Sequence, residues 1–245
     1  MKMKSFFTFS FMLIMLSNIT AQENKRNFKI HTVAFYNLEN LFDTINDVNK
    51  NDEASPIMEI RFNRGKIYRE KVSNMAEVVS QIGFDVTKRP PSIVGICEVE
   101  NRMVVEDLIS DEKLREYNYG IVHYESPDDR GIDVGLIYNK DVFKVKNSNS
   151  HDVFITDNNS SKRRNTRDQL VVSGHLDGEL MHFIVNHWPS RGADETKRIA
   201  AAEVNNFIID SLRNKYESPK IITMGDFNDD PFDKSIKKIL GAKKN

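Results

Sequence analysis

The feature that most constrains this chain is an apolar run that stops at a glycine: Ile221-Ile222-Thr223-Met224 gives way at Gly225 to Asp226-Phe227-Asn228. Such a run reads as an interior strand. Its end delivers polar residues to the carboxyl edge of a sheet, where open α/β sheets place their ligand crevices. Asp226 supplies a carboxylate and Asn228 a neutral amide, a pair suited to a metal-bound phosphate. The same residues are also good turn formers, so this segment alone leaves site and turn both open.

The rest of the chain repeats the pattern of apolar run and polar end. Lys29 to Tyr36 alternates towards a β-branched and aromatic strand and runs into Asn37-Leu38-Glu39-Asn40. Asp43 to Ser55 is polar loop. Apolar residues at Ile67, Val72, Met75, Val78, Val79 and Ile82 predict a helix over 66–82, ended by Gly83. Ser92 to Cys97 is a second buried strand with Glu98 at its end, and Met103 to Ser110 a short helix. Tyr119–Tyr124 and Ile132–Tyr138 read as strands around the polar turn Ser126–Gly131. Short strands follow at Val142–Val145, Asp152–Ile155, Gln169–Ser173 and Leu180–Asn186, then a helix over Glu195–Leu212 and the strand Ile221–Met224. Several strand pairs lack an intervening helix, which favours an α/β sandwich of mixed sheets over a purely parallel doubly wound fold.

The first 21 residues have the layout of a secretory signal peptide: Lys2 and Lys4, an apolar core from Phe6 to Leu16, and a plausible cut after Ala21. The apolar core is too short and wrongly flanked for a stable membrane span, so an exported, periplasmic or extracellular protein is expected. No obligate protein partner is evident. With 35 Lys and Arg against 36 Asp and Glu, the chain has no general electrostatic grip on nucleic acid, and any polyanion specificity has to come from a local site. Cys97, the only cysteine, lies inside an apolar strand run and reads as a buried small apolar group rather than a nucleophile.

His187 and Asp226 are linked by one strand–helix–strand unit, which makes their strands parallel and puts both ends on one rim. Glu98 and Asn37 follow two further strands. Bland readings stand beside each residue. Glu98 can be a negative charge at a helix N-terminus, and His187 a packing histidine beside Trp188. Trp188 itself can support the loop or stack on a substrate. Arg130, Arg167, Arg191 and Arg198 can all grip phosphate; Arg130 and Arg191 flank the polar motifs most directly.

Five segments, in order, resemble the endonuclease/exonuclease/phosphatase family that includes deoxyribonuclease I: Phe35-Tyr36-Asn37-Leu38-Glu39-Asn40, Ile96-Cys97-Glu98-Val99-Glu100, Arg130-Gly131-Ile132-Asp133-Val134, Asn186-His187-Trp188-Pro189-Ser190 and Gly225-Asp226-Phe227-Asn228. The similarity is greatest to the family's exported bacterial branch. It implies a four-layer α/β sandwich of two mixed sheets flanked by helices, over residues 28–245, and divalent-metal-dependent phosphoester hydrolysis with Mg²⁺ or Mn²⁺. By the same resemblance Glu98 is the principal metal carboxylate, with Asn37 and Glu39 as further metal groups. Asn37 also resembles the family's phosphate-supporting asparagine, while Arg130 and Arg191 are substrate-contact candidates because each flanks a matched motif. His187 bonds the scissile phosphate, Asp226 positions or deprotonates the attacking water, and Asn228 binds phosphate beside it. Oxygen ligands suit such a hard cation, and no Cys/His spacing for zinc is present.

The family pattern normally ends in an Asp-His pair on a late loop, and no histidine follows His187 here. The late strands that close the second sheet likewise have no sequence to form them, so the expectation is a C-terminally incomplete chain with an open sheet edge. Losing a general base costs about 10²–10⁴-fold in rate, so low activity is expected. The functional expectation is a secreted phosphodiesterase acting on nucleic acid. The alternatives are hydrolysis of phospholipid headgroups or small phosphomonoesters, and a non-catalytic chain that binds metal and phosphate.

Overall fold

β-Branched and aromatic runs make the strands, and pairing sorts them into two sheets. The computed structural model describes residues 28–156 and 162–243; the expected export signal lies outside them. The first sheet holds β1 (Val33–Leu41), β2 (Ile93–Val99), β3 (Tyr119–His123) and β4 (Asp133–Asn139) in the order β1-β2-β4-β3. β5 (Phe143–His151) follows, then the small hairpin of β6 (Ile155–Thr156) and β7 (Arg163–Arg164). The second sheet combines β5 with β8 (Gln169–Leu176), β9 (Glu179–His187) and β10 (Lys220–Asp226), in the order β10-β9-β8-β5. In each sheet one parallel pair, β1/β2 or β9/β10, adjoins antiparallel partners.

Three helices cover the outer faces. α1 (Arg64–Gln81) turns Val72, Met75, Ala76 and Val79 inward at helical spacing. α2 (Arg102–Ser110) starts where the Asn101 side chain accepts from the Val104 N–H at 3.1 Å, a cap that stabilises by about 1 kcal/mol. Asp194 caps α3 (Glu195–Lys215) in the same way through Thr196 N, and Arg213 and Lys215 lie at its negative end. One core joins α1 and α2 to the first sheet through Val72, Val79, Val104 and Leu108 against Val94 and Ile96. A second lies between the sheets, where Ile93, Cys97 and Leu136 meet Phe143, Phe183 and Val185. A third packs Ile208 of α3 on Val171 and Ile184. The result is the four-layer sandwich, with Cys97 buried between the sheets and its thiol pKa pushed up chiefly by burial. Among the described residues no helix is long and apolar enough to cross a membrane.

Several element boundaries differ from the sequence expectation. β1 starts at Val33 and runs on through the motif to Leu41, because pairing with β2 lapses after Asn37↔Cys97 and resumes at Leu41↔Val99. Glu39 and Asn40 fill that bulge with left-handed φ values of 53° and 56°. β2 likewise passes through Glu98, itself at φ 58°, to Val99. β5 extends to His151, well past Val145. As an edge strand paired only with β8, it tolerates the polar stretch Lys146–Ser150, which apolar patterning does not register. The strand expected at Asp152–Ile155 shrinks to Ile155–Thr156. β10 occupies the edge of the second sheet beside β9.

Candidate active site

The rim where the two parallel pairs end is assembled from both sheets. Glu98 on β2 and His187 and Asp226, the last residues of β9 and β10, place one ligand-competent atom each within 4.8 Å of one another. Asn37 on β1 ties the carboxylates together: its Nδ2 donates to Glu98 Oε1 at 3.0 Å and to Asp226 Oδ2 at 3.2 Å. The other Glu98 oxygen accepts from Asn40 N at 2.9 Å, which explains the bulge. The left-handed turn at Glu39 and Asn40 aims a backbone N–H at the carboxylate, and Glu39 N closes the turn onto Asn37 Oδ1 at 2.8 Å. Glu98 is therefore not a helix-terminal charge, since α2 is capped by Asn101 and the Glu98 carboxylate faces Asn37 and Asn40.

His187 is 6% exposed, and its Nε2 lies 3.7 Å from Glu98 Oε1. Burial, and then the charges of Arg167 and Arg130, hold its pKa well below the ordinary histidine range. The ring is thus neutral at pH 7, with one nitrogen a donor and the other an acceptor or ligand. Its Nδ1 is buried and finds no partner among the described residues.

The β9 end is held from beneath. Arg167, buried, donates through Nε to the His187 carbonyl at 3.2 Å, through Nη2 to the Trp188 carbonyl at 2.6 Å, and through Nη1 to Asp128 at 3.3 Å. Burial opposes the charge of Asp128, but its bond from Arg130 and the charges of Arg167 and Arg130 keep its carboxyl below the usual range. Trp188 is buried, packs edge-on against Phe227 with centroids 4.8 Å apart, and donates to Asn186 at 3.1 Å. It supports the loop by packing, the first of the two roles its sequence position allows. Asn186 in turn bonds Thr223 and the Met224 carbonyl across to β10. Gly225, at φ 155°, lies so close to β9 that a Cβ there would sit 2.3 Å from the Asn186 carbonyl oxygen. Only glycine lets β10 approach closely enough to bring Asp226 level with His187.

The remaining expected residues divide. Asn228 N bonds Asp226 at 3.0 Å, and its amide donates to the Trp188 carbonyl at 3.0 Å, leaving one amide hydrogen for a ligand. Arg130 pairs with Asp128 at 3.2 Å and shares with Arg167 the lining of a cavity of about 590 Å³. Arg191 lines a neighbouring recess of about 350 Å³ with Asp226 and Asn228, but its guanidinium pairs with Asp230 at 2.9 Å and Asp233 at 3.2 Å. Glu39 is exposed and outside the Glu98–His187–Asp226 group; Lys71 bonds its carbonyl. Arg198 is buried against Asp229 at 2.6 Å. The arginines that matter most to the site's shape are thus the buried pair, Arg167 and Arg198. Asn40 and Arg167 act through backbone groups far away in sequence, which no motif spacing signals.

Two mixed sheets packed face to face, helices outside and a carboxylate–imidazole cluster on one rim define a deoxyribonuclease I-like sandwich. The family's sequence pattern matches residues 32–245, and the chain belongs to the Endonuclease/Exonuclease/phosphatase family. A mannosyl-6-phosphatase from Bacteroides thetaiotaomicron is 19% identical, with 86% of this chain and 70% of that one covered at a TM-score of 0.56. A further family protein from the same organism is 18% identical, covering 85% and 67% at 0.55. TDP2 from Caenorhabditis elegans is 18% identical over 68% of this chain at 0.49, and the match spans only 44% of that protein's length. By sequence, no curated protein matches.

Proposed function

We propose that the chain is an exported, divalent-metal-dependent phosphoester hydrolase. The observation that carries this reading is the convergence of Glu98, His187 and Asp226, whose ligand-competent atoms lie within 4.8 Å of one another, under the shared amide of Asn37. Two carboxylates offer the oxygen donors that a hard ion such as Mg²⁺ or Mn²⁺ takes, and the orphaned, buried Nδ1 of His187 marks a polar group in need of a partner. Glu98 and Asp226 would hold the ion, and when bound it supplies positive charge against a phosphoryl oxygen. Asp226 accepts the proton of the attacking water as the water oxygen bonds phosphorus, the P–O bond to the leaving alcohol breaks, and the departing oxygen takes a proton from solvent. Neutral His187 bonds a phosphoryl oxygen, and the free amide hydrogen of Asn228 bonds another. Asn37 keeps the two carboxylates at one spacing throughout.

Nucleic acid is the first substrate class, on the motif resemblance. A second reading, a small phosphomonoester, is favoured by the cavity beside the site. At about 590 Å³, walled by Arg130, Arg167, Thr166 and Ser190, it is sized for one small polar ligand. The test is hydrolysis of plasmid DNA, bis(p-nitrophenyl) phosphate and mannose 6-phosphate, after chelation and with Mg²⁺ or Mn²⁺ restored. Metal-dependent turnover that Asp226→Asn abolishes is the expected result. Turnover indifferent to chelation, or to Asp226→Asn, would overturn the assignment, and the preferred substrate decides between the two readings.

A further inference from the structure

A separate cavity of about 120 Å³ lies under the 43–55 loop. Asp47, Asp52, Glu100 and Glu125 contribute four carboxylates to its lining, alongside Asn101 and Lys50. It shares no residue with the Glu98–His187–Asp226 group. Asp52 is 1% exposed. Its Oδ2 accepts from Asp47 N at 2.8 Å, while its Oδ1 is fully buried and has no partner among the described residues. A buried carboxylate oxygen without a partner is unfavourable. Lys50 does not relieve it, because its ammonium donates to the carbonyls of Ser126 at 3.0 Å and Asp128 at 3.2 Å.

The other walls are already fixed. Glu100 Oε2 accepts from Asp43 N at 2.7 Å, leaving its second oxygen. Glu125 sits beside His123 and Asp133, which bond each other at 3.1 Å, and Asp133 also accepts from Ser126 N at 2.8 Å. The Glu125 carboxylate is itself held toward Asp133 and His123, so it lines the cavity from a fixed position. Apart from the Lys50 ammonium, the acidic lining offers hard oxygen donors on an irregular loop. Calcium accepts six to eight such oxygens in flexible geometry, whereas magnesium demands a near-ideal octahedron. At roughly 30 Å³ per water, the space suits an ion with a few retained waters.

We propose that this cavity is a structural site for a hard divalent cation of calcium type. Asp52 is its central ligand, and Asp47, Glu100 and Glu125 complete the oxygen set. The ion would pin the 43–55 loop to the turn at Glu125 and to the segment just past β2. The proposal does not depend on the hydrolase reading.

The test uses the full chain carrying Glu98→Gln and Asp226→Asn, so that the rim cluster is disabled. After chelation and removal of the chelator, CaCl₂ and MgCl₂ are titrated separately by calorimetry and by thermal unfolding. The expected result is one Ca²⁺ per chain with a saturable rise in Tm. Adding Asp52→Asn should lower Ca²⁺ affinity by at least about tenfold, as loss of a direct ligand should exceed loss of its supporting partners. Glu125→Gln should lower affinity similarly, and it serves should Asp52→Asn fail to fold. No Ca²⁺ binding by the background chain, unchanged affinity in Glu125→Gln, or tighter Mg²⁺ than Ca²⁺ binding would each overturn the assignment.

Discussion

Arg167 offers the sharpest test of how the site is held. Its guanidinium serves three acceptors from a buried position: the carbonyls of His187 and Trp188 and the carboxylate of Asp128. Arg167→Met keeps much of the stem and removes every donor. Hydrogen bonds from a charged donor are worth about 1.5–3 kcal/mol each, and breaking a buried ion pair costs about 3–5 kcal/mol. Asp128 retains Arg130 as a partner, so the pair adds little, and the two carbonyl bonds set an expected loss of about 3–6 kcal/mol. Against the 5–15 kcal/mol typical of a whole domain, that leaves a folded but fragile protein. Arg167→Lys keeps the charge but not the fork, so a loss of about 1.5–3 kcal/mol is expected. Urea unfolding followed by circular dichroism measures both. A loss below about 1 kcal/mol in Arg167→Met would refute the claim that this fork holds the β9 end, and equal losses in both variants would refute the role given to its geometry.

Three further outcomes follow from the same geometry. Glu98→Gln should weaken Mn²⁺ binding by at least about tenfold and cost about 1–2 kcal/mol of stability, because its amide must present a donor to either Asn37 or Asn40 N; calorimetry and urea unfolding check the two parts. Gly225→Ala should cost about 3 kcal/mol or prevent folding, since its Cβ meets the Asn186 carbonyl oxygen at 2.3 Å, and a variant of wild-type Tm would contradict the close approach. His182 is buried against Ser173 at 2.7 Å, and burial, with the charges of Lys215 and Lys146, lowers its pKa. Its contribution is therefore fully present above the unfolded value of about 6.5 and is lost as pH falls below it. The unfolding free energy should fall between pH 7 and pH 5, less steeply in Ser173→Ala/His182→Leu than in the wild type.

Much of the fold was legible because apolar runs and helical spacing report burial directly. Ile93–Cys97, Ile221–Met224 and the face Val72–Met75–Val79 all lie in cores or strands as their patterns require. The polar half of β5 was not legible, because an edge strand with one neighbour needs no apolar alternation. The rim residues Asn37, Glu98, His187 and Asp226 were found from their place at strand ends. What the pattern could not supply was the set of contacts made by backbone groups. Asn40 reaches Glu98 through a main-chain N–H at a left-handed turn, and Arg167 grips two carbonyls. Nor does flanking a motif predict what an arginine touches: Arg191 faces Asp230 and Asp233, residues whose proximity only the fold creates.

The two sheets come from consecutive stretches of chain, 33–139 and 143–226, and each carries only part of the rim cluster. Asn37 and Glu98 belong to the first, His187 and Asp226 to the second. Neither stretch can present the cluster by itself, so it comes into being only when the sheets dock through Cys97, Phe143 and Phe183. A nascent or cleaved half would be chemically silent, and a slip of one sheet over the other by a single residue, about 3.3 Å, would dismantle the centre without unfolding either sheet. Reactivity in this architecture is a report on assembly.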